Sequence, residues 1–509
     1  MIYLIEIDPF DKTAGQIVTL RYGSETFITE PTDTPGNVTF EQRVADPGNY
    51  ARHLFRSGRT RGESDVGGGD IRLVNADRGL DGLLALAFDG RAIRIFGLED
   101  AWSPWSSRTV LFAGTMEQVT FEKRGLTIRI RDRLAALRET IQTQRFKGTT
   151  TSGSSTEAEG NVDLKDVPVP ELYGSCRTIT PVVVDAFNNV FRVARRVDGI
   201  TAVRDVGVAL TFTQDYATLA ALKAASLSAG QYATCRALGL VRTYLRPTSL
   251  TVDAFEGDTL AKRSAARIVQ RMIPAAVPLS AAAFDALHAA NPAECGFWTG
   301  TSETTVLSCA TTVLASVGAS LNVDRLGIVE VERLELPTGS GTELSPAVVL
   351  DKDEAFERQA PDDDGDGVPA REITLKWGRS YTTYTQQDLA NVNATEAFRS
   401  FAVQEFRQVV VPSAANATAH PQGPKLVFET CLVNEADAIA EANRLMATYG
   451  ARRDIYRLQV SSAYAPTLDL GDVVTLRTPN FGLSAGAPAR VLGLTQTYAT
   501  NITEIECWR

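Results

Sequence analysis

Hydrophobic and polar positions alternate along the first 135 residues in short segments separated by turn residues. Such alternation buries one face of each segment and is typical of β-strands in a barrel or sandwich. The segments are MIYLIEI, QIVTLRY, DIRLVN, RAIRIFG, RTVLFAG and GLTIRIR. Leu134, Leu137 and Ile141 then follow a helical spacing. We therefore predict an N-terminal β-barrel or sandwich, residues 1–148, that ends in a helix.

A linker and a second, smaller β module are predicted next. Residues 149–163 are rich in Ser, Thr and Gly, which favours a mobile loop or an interdomain linker. In the following stretch LKDVPVPELYGSCRTITPVVVD, alternate prolines fix an extended backbone, Tyr173-Gly174 favours a turn, and Val182–Val184 are strand-like. VFRVA, GVALTF, LVRTYLR and LTVDAF continue the strand pattern around one helix near 216–229, so the second β-rich module spans 164–257.

Residues 258–345 change character and predict an α/β insert. Three segments with apolar residues at helical spacing, TLAKRSAARIVQRMI, AAAFDALHAA and TTVLSCATTVLASVG, follow one another. Asp258-Thr259 and Ser280 provide N-caps for the first two, and Gly318 lies where a C-cap glycine would. ASLNVDRLGIVEVERL then predicts a β-hairpin that turns at residues 324–327.

Residues 346–509 predict a C-terminal β module with one helix. An acidic loop precedes the strand-like segment EITLKWG, and NEADAIAEANRLMATYG is a helix with Asn434 at its N-cap and Gly450 after its end. DIYRLQVSS, LDLGDVVTLRT, PARVLGLTQTY and NITEIECWR complete an antiparallel set. The predicted fold class is thus mainly β and multidomain, with two β-barrel or sandwich modules bracketing a smaller β module and the α/β insert.

Composition narrows the classes of function. The chain of 509 residues has a net charge of −10, which argues against a surface built to grip nucleic acid. It has no run of 18 apolar residues and no signal peptide, so we expect a protein without a membrane span that is made in a cytoplasm. Its six cysteines are widely spaced and predict buried free thiols rather than a zinc site or a disulfide framework.

Catalytic motifs are scarce in the sequence. The three histidines are widely separated, and no nucleophile–base motif accompanies them, so we predict no enzymatic activity. Gly67-Gly68-Gly69 precedes a strand instead of following one, which favours a flexible loop tip over a phosphate-binding turn. Trp102 and Trp105 flank Ser103-Pro104 and are expected to serve packing or an interface rather than sugar stacking.

The best metal candidate is the acidic turn, residues 362–367, with the sequence DDDGDG. Asp362, Asp364 and Asp366 followed by Gly367 match the opening of a calcium loop, because alternate carboxylates around a glycine bend can surround a hard cation. The twelfth position is Ile373 instead of Glu, and no pair of flanking helices is evident. Calcium binding and a solvated acidic turn both stay open; no other cofactor is predicted.

Four segments, in order, resemble the tail hub proteins of long-tailed bacteriophages, which form the baseplate or tail-tip hub. They are RTVLFAGTMEQVTFEKRGLTIRIRDRLAAL, LKDVPVPELYGSCRTITPVVVD, GASLNVDRLGIVEVERLELP and LDLGDVVTLRTPNFGL. The resemblance lies in their shared order, and none of them is a catalytic signature. It covers residues from about 90 to 490.

The resemblance implies a structural protein of the virion tail tip that forms a ring, typically a homotrimer, where the tail tube ends. Such hubs resemble two tube subunits in one chain, so that three copies present a pseudo-sixfold face. The implied partners are the distal tail ring, the tape measure and tail-tip fibre or spike proteins, with DNA passing through without sequence-specific binding. A negative lumen would suit that passage. The alternatives are a tail-tip peptidoglycan hydrolase, a receptor-binding fibre and a distal tail ring adaptor.

Overall fold

Strands dominate the structure and form several sheets, which confirms the predicted mainly β, multidomain class. A computed structural model describes residues 1–62, 64, 66–350, 356–389, 395–464 and 466–509. Residues 351–355, part of the predicted acidic loop, lie outside this description. The predicted domain boundaries stay predictions, and they are used below only to group the elements.

The N-terminal module combines short strands with longer ones that pair antiparallel. Its strands are Ile2–Ile7 (β1), Phe10–Asp11 (β2), Gln16–Ile17 (β3), Leu20–Gly23 (β4), Phe27–Ile28 (β5), Thr39–Gln42 (β6), Val44–Asp46 (β7), Asn49–His53 (β8), Gly68–Val74 (β9), Leu86–Ala87 (β10), Ala92–Leu98 (β11), Thr109–Phe121 (β12) and Gly125–Arg131 (β13). The glycine run was predicted wrongly. Gly68 and Gly69 begin β9. A side chain at Gly69 would meet the Asn49 carbonyl oxygen at 1.7 Å, so this position of the strand requires glycine.

The helix predicted after β13 is a 3-10 helix, Arg133–Arg138, and is shorter than expected. Leu134, Leu137 and Ile141 are buried as their spacing predicts. The helix ends early because the Ile141 amide donates to the Thr304 carbonyl at 3.0 Å, which draws the chain onto the insert.

The second module is built from two five-stranded sheets. Its elements are Leu172–Ile179 (β14), Val182–Asp185 (β15), Val190–Arg192 (β16), Gly199–Asp205 (β17), Val208–Ala209 (β18), Thr211–Asp215 (β19), the helix Leu219–Lys223 (α1), Gln231–Cys235 (β20), Leu240–Thr243 (β21) and Leu250–Glu256 (β22). The prolines precede β14 in an extended segment that pairs with residues 144–146. Tyr173-Gly174 is not a turn but part of β14, where Gly174 lies opposite Gly296.

The insert packs helices against a hairpin. Its elements are Ala265–Met272 (α2), Ala281–Ala290 (α3), Gly296–Trp298 (β23), Val306–Ala315 (α4), Ala319–Val323 (β24), Val329–Arg333 (β25) and Thr342–Leu344 (β26). The helix predicted first is broken at Ser264, which is extended and bridges to Glu294, so α2 starts at Ala265, seven residues after Asp258. The Ser280 N-cap, the third helix and the hairpin are confirmed.

The C-terminal module carries the longest helix. Its elements are Glu357–Gln359 (β27), Glu372–Trp377 (β28), Glu396–Ala402 (α5), Arg407–Pro412 (β29), Ala414–Ala419 (α6), Lys425–Glu429 (β30), Glu435–Tyr449 (α7), Ile455–Ser461 (β31), Val473–Leu476 (β32), Ala487–Thr497 (β33) and Ile502–Trp508 (β34). The helix between Asn434 and Gly450 is confirmed. It packs against β28 and β29, and its buried residues join the core of the insert.

One sheet joins the two ends of the chain. Sixteen of the described strands belong to it, and its central order is β27-β31-β34-β33-β8-β9-β13-β12-β11-β1-β4-β6-β5. The joint is the antiparallel pair β33–β8, in register from Gly493 opposite His53 to Thr497 opposite Asn49. The N-terminal and C-terminal modules are therefore connected by backbone hydrogen bonds as well as by side-chain packing.

Candidate functional site

The acidic turn lies at a junction of the modules. The Asp362 amide donates to the Gly58 carbonyl at 2.7 Å, which fastens the turn to the loop that follows β8. Gly365, Asp366 and Gly367 have φ angles of 96°, 47° and 69°, so the turn uses left-handed backbone at three successive residues. The two glycines make this conformation accessible, and the turn is followed by β28.

Arginines and a threonine of that loop face the carboxylates of the turn. Asp364 pairs with Arg61 at 2.6 Å, while Asp362 lies 3.8 Å from Arg59. Asp363, which was not among the predicted ligands, accepts hydrogen bonds from both the amide and the hydroxyl of Thr60. The first and third aspartates of the turn therefore have arginine partners.

Within the described ranges, no three His, Cys, Asp or Glu side chains form a group that could hold a metal ion. The arrangement of Asp362, Asp364 and Asp366 as calcium ligands stays a prediction, and so does the solvated turn. Calorimetric titration of Ca²⁺ into the wild type and Asp364→Asn separates the two. If the turn binds calcium, the wild type should give a saturable heat of binding and Asp364→Asn should not. If the turn is only solvated, neither protein should give a saturable heat.

A cavity of about 400 Å³ opens beside the turn. Five parts of the chain surround it: the loop after β8, the end of α4 with the start of β24, the residue after β25, the acidic turn, and α7 with the end of β30. The lining residues are Phe55, Arg59, Thr60, Arg61, Gly62, Ala315, Gly318, Ala319, Leu334, Asp362, Asp363, Asp364, Phe428, Glu429, Arg444, Leu445, Thr448 and Tyr449. Its lining combines apolar and charged side chains, as is typical of a binding cleft.

Buried polar groups hold one wall of the cavity. Burial raises the pKa of Asp363, although the hydrogen bonds from Thr60 oppose this shift. Burial also raises the pKa of Tyr449, whose hydroxyl donates to the Thr60 carbonyl at 3.3 Å. The Arg61 guanidinium lies 4.9 Å from the centroid of the Phe428 ring. These contacts join the loop to the turn, to α7 and to β30.

Arg444, which lines the cavity, belongs to a buried ionic network. Glu441 of α7 accepts hydrogen bonds from Arg444 at 2.6 Å and from Arg333 at 2.8 Å, and its side chain is 2% exposed. Burial opposes the charge of Arg444, but the contacts with Glu441 outweigh it and raise the pKa of Arg444. Arg444 also donates to the Leu334 carbonyl at 2.9 Å, so the network ties α7 to the hairpin of the insert.

Among the described residues that line the cavity, no nucleophile is paired with a base. The Ser264 hydroxyl does lie 2.8 Å from His288 Nδ1, but Ser264 is fully buried where α2 begins and does not line the cavity.

All six cysteines are free, and burial raises the pKa of each thiol. Such thiols are poor nucleophiles at neutral pH. The geometry is suited to docking or to holding modules together.

The two tryptophans that the sequence singled out have different environments. Trp105 is buried among Phe27, Phe40 and Phe96, and its indole N–H donates to the Thr34 carbonyl at 3.0 Å. Trp102 is 93% exposed. The packing role is therefore confirmed for Trp105, and Trp102 stays a predicted contact residue.

No protein-family model and no curated protein matches the chain. Several solved structures align with most of the chain at low similarity. A tail protein from Neisseria meningitidis has a TM-score of 0.41 and 10% identity over 100% of this chain and 96% of its own. A 43 kDa tail protein of prophage MuSo2 from Shewanella oneidensis has a TM-score of 0.35 and 9% identity over 99% and 98%. A chain in the virion of a native gene transfer agent has a TM-score of 0.41 and 14% identity over 74% of this chain and 93% of its own. Similarities this low do not establish a shared function.

Proposed function

We propose that the chain is a structural hub of a bacteriophage tail tip or baseplate. Three copies would form a ring that closes the tail tube, anchors neighbouring tail proteins and lines part of the DNA ejection channel. The order of the four sequence segments motivates the proposal. The observation that carries it is the β33–β8 joint, because a ring subunit must hold its two tube-like modules in a fixed relation and a shared sheet does so.

The second module offers an edge for contact between copies. Strands β18 and β19 are the terminal strands of its two sheets, and they follow one another within Val208–Asp215. This segment, VALTFTQD, contains neither Lys nor Pro, the residues that usually protect exposed edges. Val208 is 39% exposed and Phe212 is 50% exposed. We assign to this edge the contact with the neighbouring copy.

Light scattering coupled to size-exclusion chromatography tests the ring. We expect a mass three times that of the 55.0 kDa chain, with threefold symmetry in negative-stain images. Phe212→Lys should shift the particle toward monomer, because it places a charge on the edge. Phe187→Lys is the matched control, since Phe187 is 59% exposed but lies in the turn between β15 and β16. A monomer at all concentrations would refute the trimer, and sixfold symmetry would favour a distal tail ring adaptor.

We further propose that the chain has no catalytic activity and does not bind DNA stably. With a net charge of −10, the chain should not retain duplex DNA at physiological salt, because like charges repel. A zymogram on peptidoglycan should stay without clearing. Clearing that is lost on replacement of a single carboxylate would favour the hydrolase instead. No helix within the described ranges is both long and apolar enough to cross a membrane.

A further inference from the structure

Two arginines from different modules enclose the ring of Phe401 in α5. The Arg177 Cζ atom of β14 lies 3.7 Å from the ring centroid, and the Arg407 Cζ atom of β29 lies 3.4 Å from it. Both distances correspond to direct stacking, so the two guanidinium groups occupy opposite faces of the ring. Their Cζ atoms are therefore about 7 Å apart.

Positive charge is in excess around this ring. Arg204 and Arg177 share one carboxylate, Asp253, at 2.8 and 3.9 Å. Arg407 donates to the carbonyls of Gly378 and Gln404 and to the Ser380 hydroxyl, and no carboxylate in the described part of the chain pairs with it. Arg204 itself stacks on Phe398 of the same helix, with its Cζ atom 4.3 Å from the ring centroid. Among the described residues, these three arginines thus share one paired carboxylate. Nearby Arg379 adds no net charge, because it pairs with Glu405 at 3.0 Å.

The excess charge is half-buried, which makes it costly. Burial, followed by the charge of Arg177, lowers the pKa of Arg407 to about 10. Burial also lowers the pKa of Arg177, with Asp253 acting in the opposite direction. This local excess is notable in a chain of net charge −10. An anion bound from solvent would compensate it.

Arg177 has the donors to bind such an anion. Its side chain is 41% exposed, and among the residues described its one polar side-chain contact is the long pair with Asp253. A guanidinium group presents five N–H donors in a planar fork that matches the oxygens of phosphate or sulfate. Most donors of Arg407 are already engaged, so Arg407 contributes charge while Arg177 contributes hydrogen bonds.

We propose that Arg177 and Arg407, which stack on Phe401, form with the neighbouring Arg204 a binding site for a tetrahedral oxyanion of the phosphate class. Free phosphate and the phosphodiester of a nucleic acid share this chemistry. The site is independent of the proposed ring, since all its residues belong to one copy. A phosphate bound by Arg177 would offset the charge of Arg407 across the ring and would thereby favour the contact between the second module and the C-terminal module.

Calorimetric titration of the full chain with inorganic phosphate tests the site, with chloride at matched ionic strength as the blank. We expect saturable binding in the wild type and a loss of affinity of about tenfold or more in Arg177→Gln. Arg246→Gln is the matched control, because Arg246 is an exposed arginine outside the cluster and its replacement should leave the affinity unchanged. Equal affinity in Arg177→Gln and the wild type would overturn the site.

A second arm separates the two sources of phosphate. In this arm, a short oligonucleotide at equal phosphate concentration replaces the free ion. If only the oligonucleotide binds, and Arg177→Gln loses that binding, the site is one for a phosphodiester. Binding of neither probe overturns the proposal. Circular dichroism confirms that each variant is folded. If Arg177→Gln is not, Arg177→Lys decides: it keeps the charge but loses the planar fork, so it should bind more weakly than the wild type, and unchanged affinity contradicts the assigned role.

Discussion

Removal of the Glu441 carboxylate should be among the most damaging single changes to the cavity wall. In Glu441→Ala, Arg333 and Arg444 lose their shared partner while their side chains stay only 12% and 16% exposed. Breaking a buried ion pair by removing one partner costs roughly 3–5 kcal/mol, because the other charge is left uncompensated. Because Arg333 still pairs at 3.1 Å with Glu335, which is 44% exposed, we expect a loss near the lower end of that range, with the hairpin β24–β25 and helix α7 separating before the rest of the chain unfolds.

Hydrogen exchange measured by mass spectrometry is the suitable assay, because unfolding of a multidomain chain need not be two-state. Exchange should accelerate in residues 317–335 and 435–449 of Glu441→Ala and stay unchanged in the second module. Glu435→Ala is the control: Glu435 is exposed in the first turn of the same helix, and its loss should cost below about 1 kcal/mol. If the two variants exchange alike, the network contributes little and the reasoning fails.

Three further predictions concern other parts of the fold. Trp105→Ala should destabilise the N-terminal module by about 3–5 kcal/mol in urea melts, whereas the exposed Trp102→Ala should be nearly neutral; equal effects would contradict the packing. Gly318→Ala should lower the melting temperature measured by calorimetry, because Gly318 has φ 66° and a Cβ would lie 2.0 Å from Arg444 Nη2; an unchanged temperature would contradict the close approach. Burial raises the pKa of Glu332 to about 7, although the Arg490 guanidinium paired with it acts in the opposite direction. The stability linked to the protonated form is therefore present below the ordinary pKa of Glu332 and is lost as pH rises through about 7. Glu332→Gln should therefore melt with a weaker pH dependence than the wild type between pH 5.5 and 8.5, by about 1–2 kcal/mol after allowance for solvent screening, and identical profiles would refute the shift.

Elements with local signals were predicted well. Helix α3 begins after Ser280 and ends before Asn291, and the hairpin β24–β25 turns at residues 324–327. In these cases the cap, the turn residues and the hydrophobic period all lie within the element itself. The physical information needed to form the element is therefore present in a short window of sequence.

Elements defined by distant partners were predicted poorly. Nothing near Ile141 indicates that its amide will bind the Thr304 carbonyl and end the helix. Gly69 lies in a glycine run typical of loops, yet it belongs to the start of a strand. Glycine is needed there because the Asn49 backbone approaches too closely for any side chain. The β33–β8 pair joins residues more than 400 positions apart and has no local signature.

The candidate site shows the same division. The acidic turn was found from its spacing, because alternate carboxylates around glycine form a recognisable pattern. Its partners were missed, although Arg59 and Arg61 already formed a basic run of complementary charge in the sequence. Complementary charge alone does not identify partners, since the chain holds 51 basic and 61 acidic residues.

One strand accounts for both the joined sheet and the position of the cavity. β8 pairs with β33 and thereby brings the chain from the N-terminal module to the C-terminal one. The loop that follows it directly carries Thr60 to Asp363, where two hydrogen bonds form. Exposed arginine–aspartate pairs contribute little by themselves, so the buried Thr60–Asp363 contact should hold the turn in place. The acidic turn then provides a second contact between the N-terminal and C-terminal modules, in addition to the β33–β8 pair.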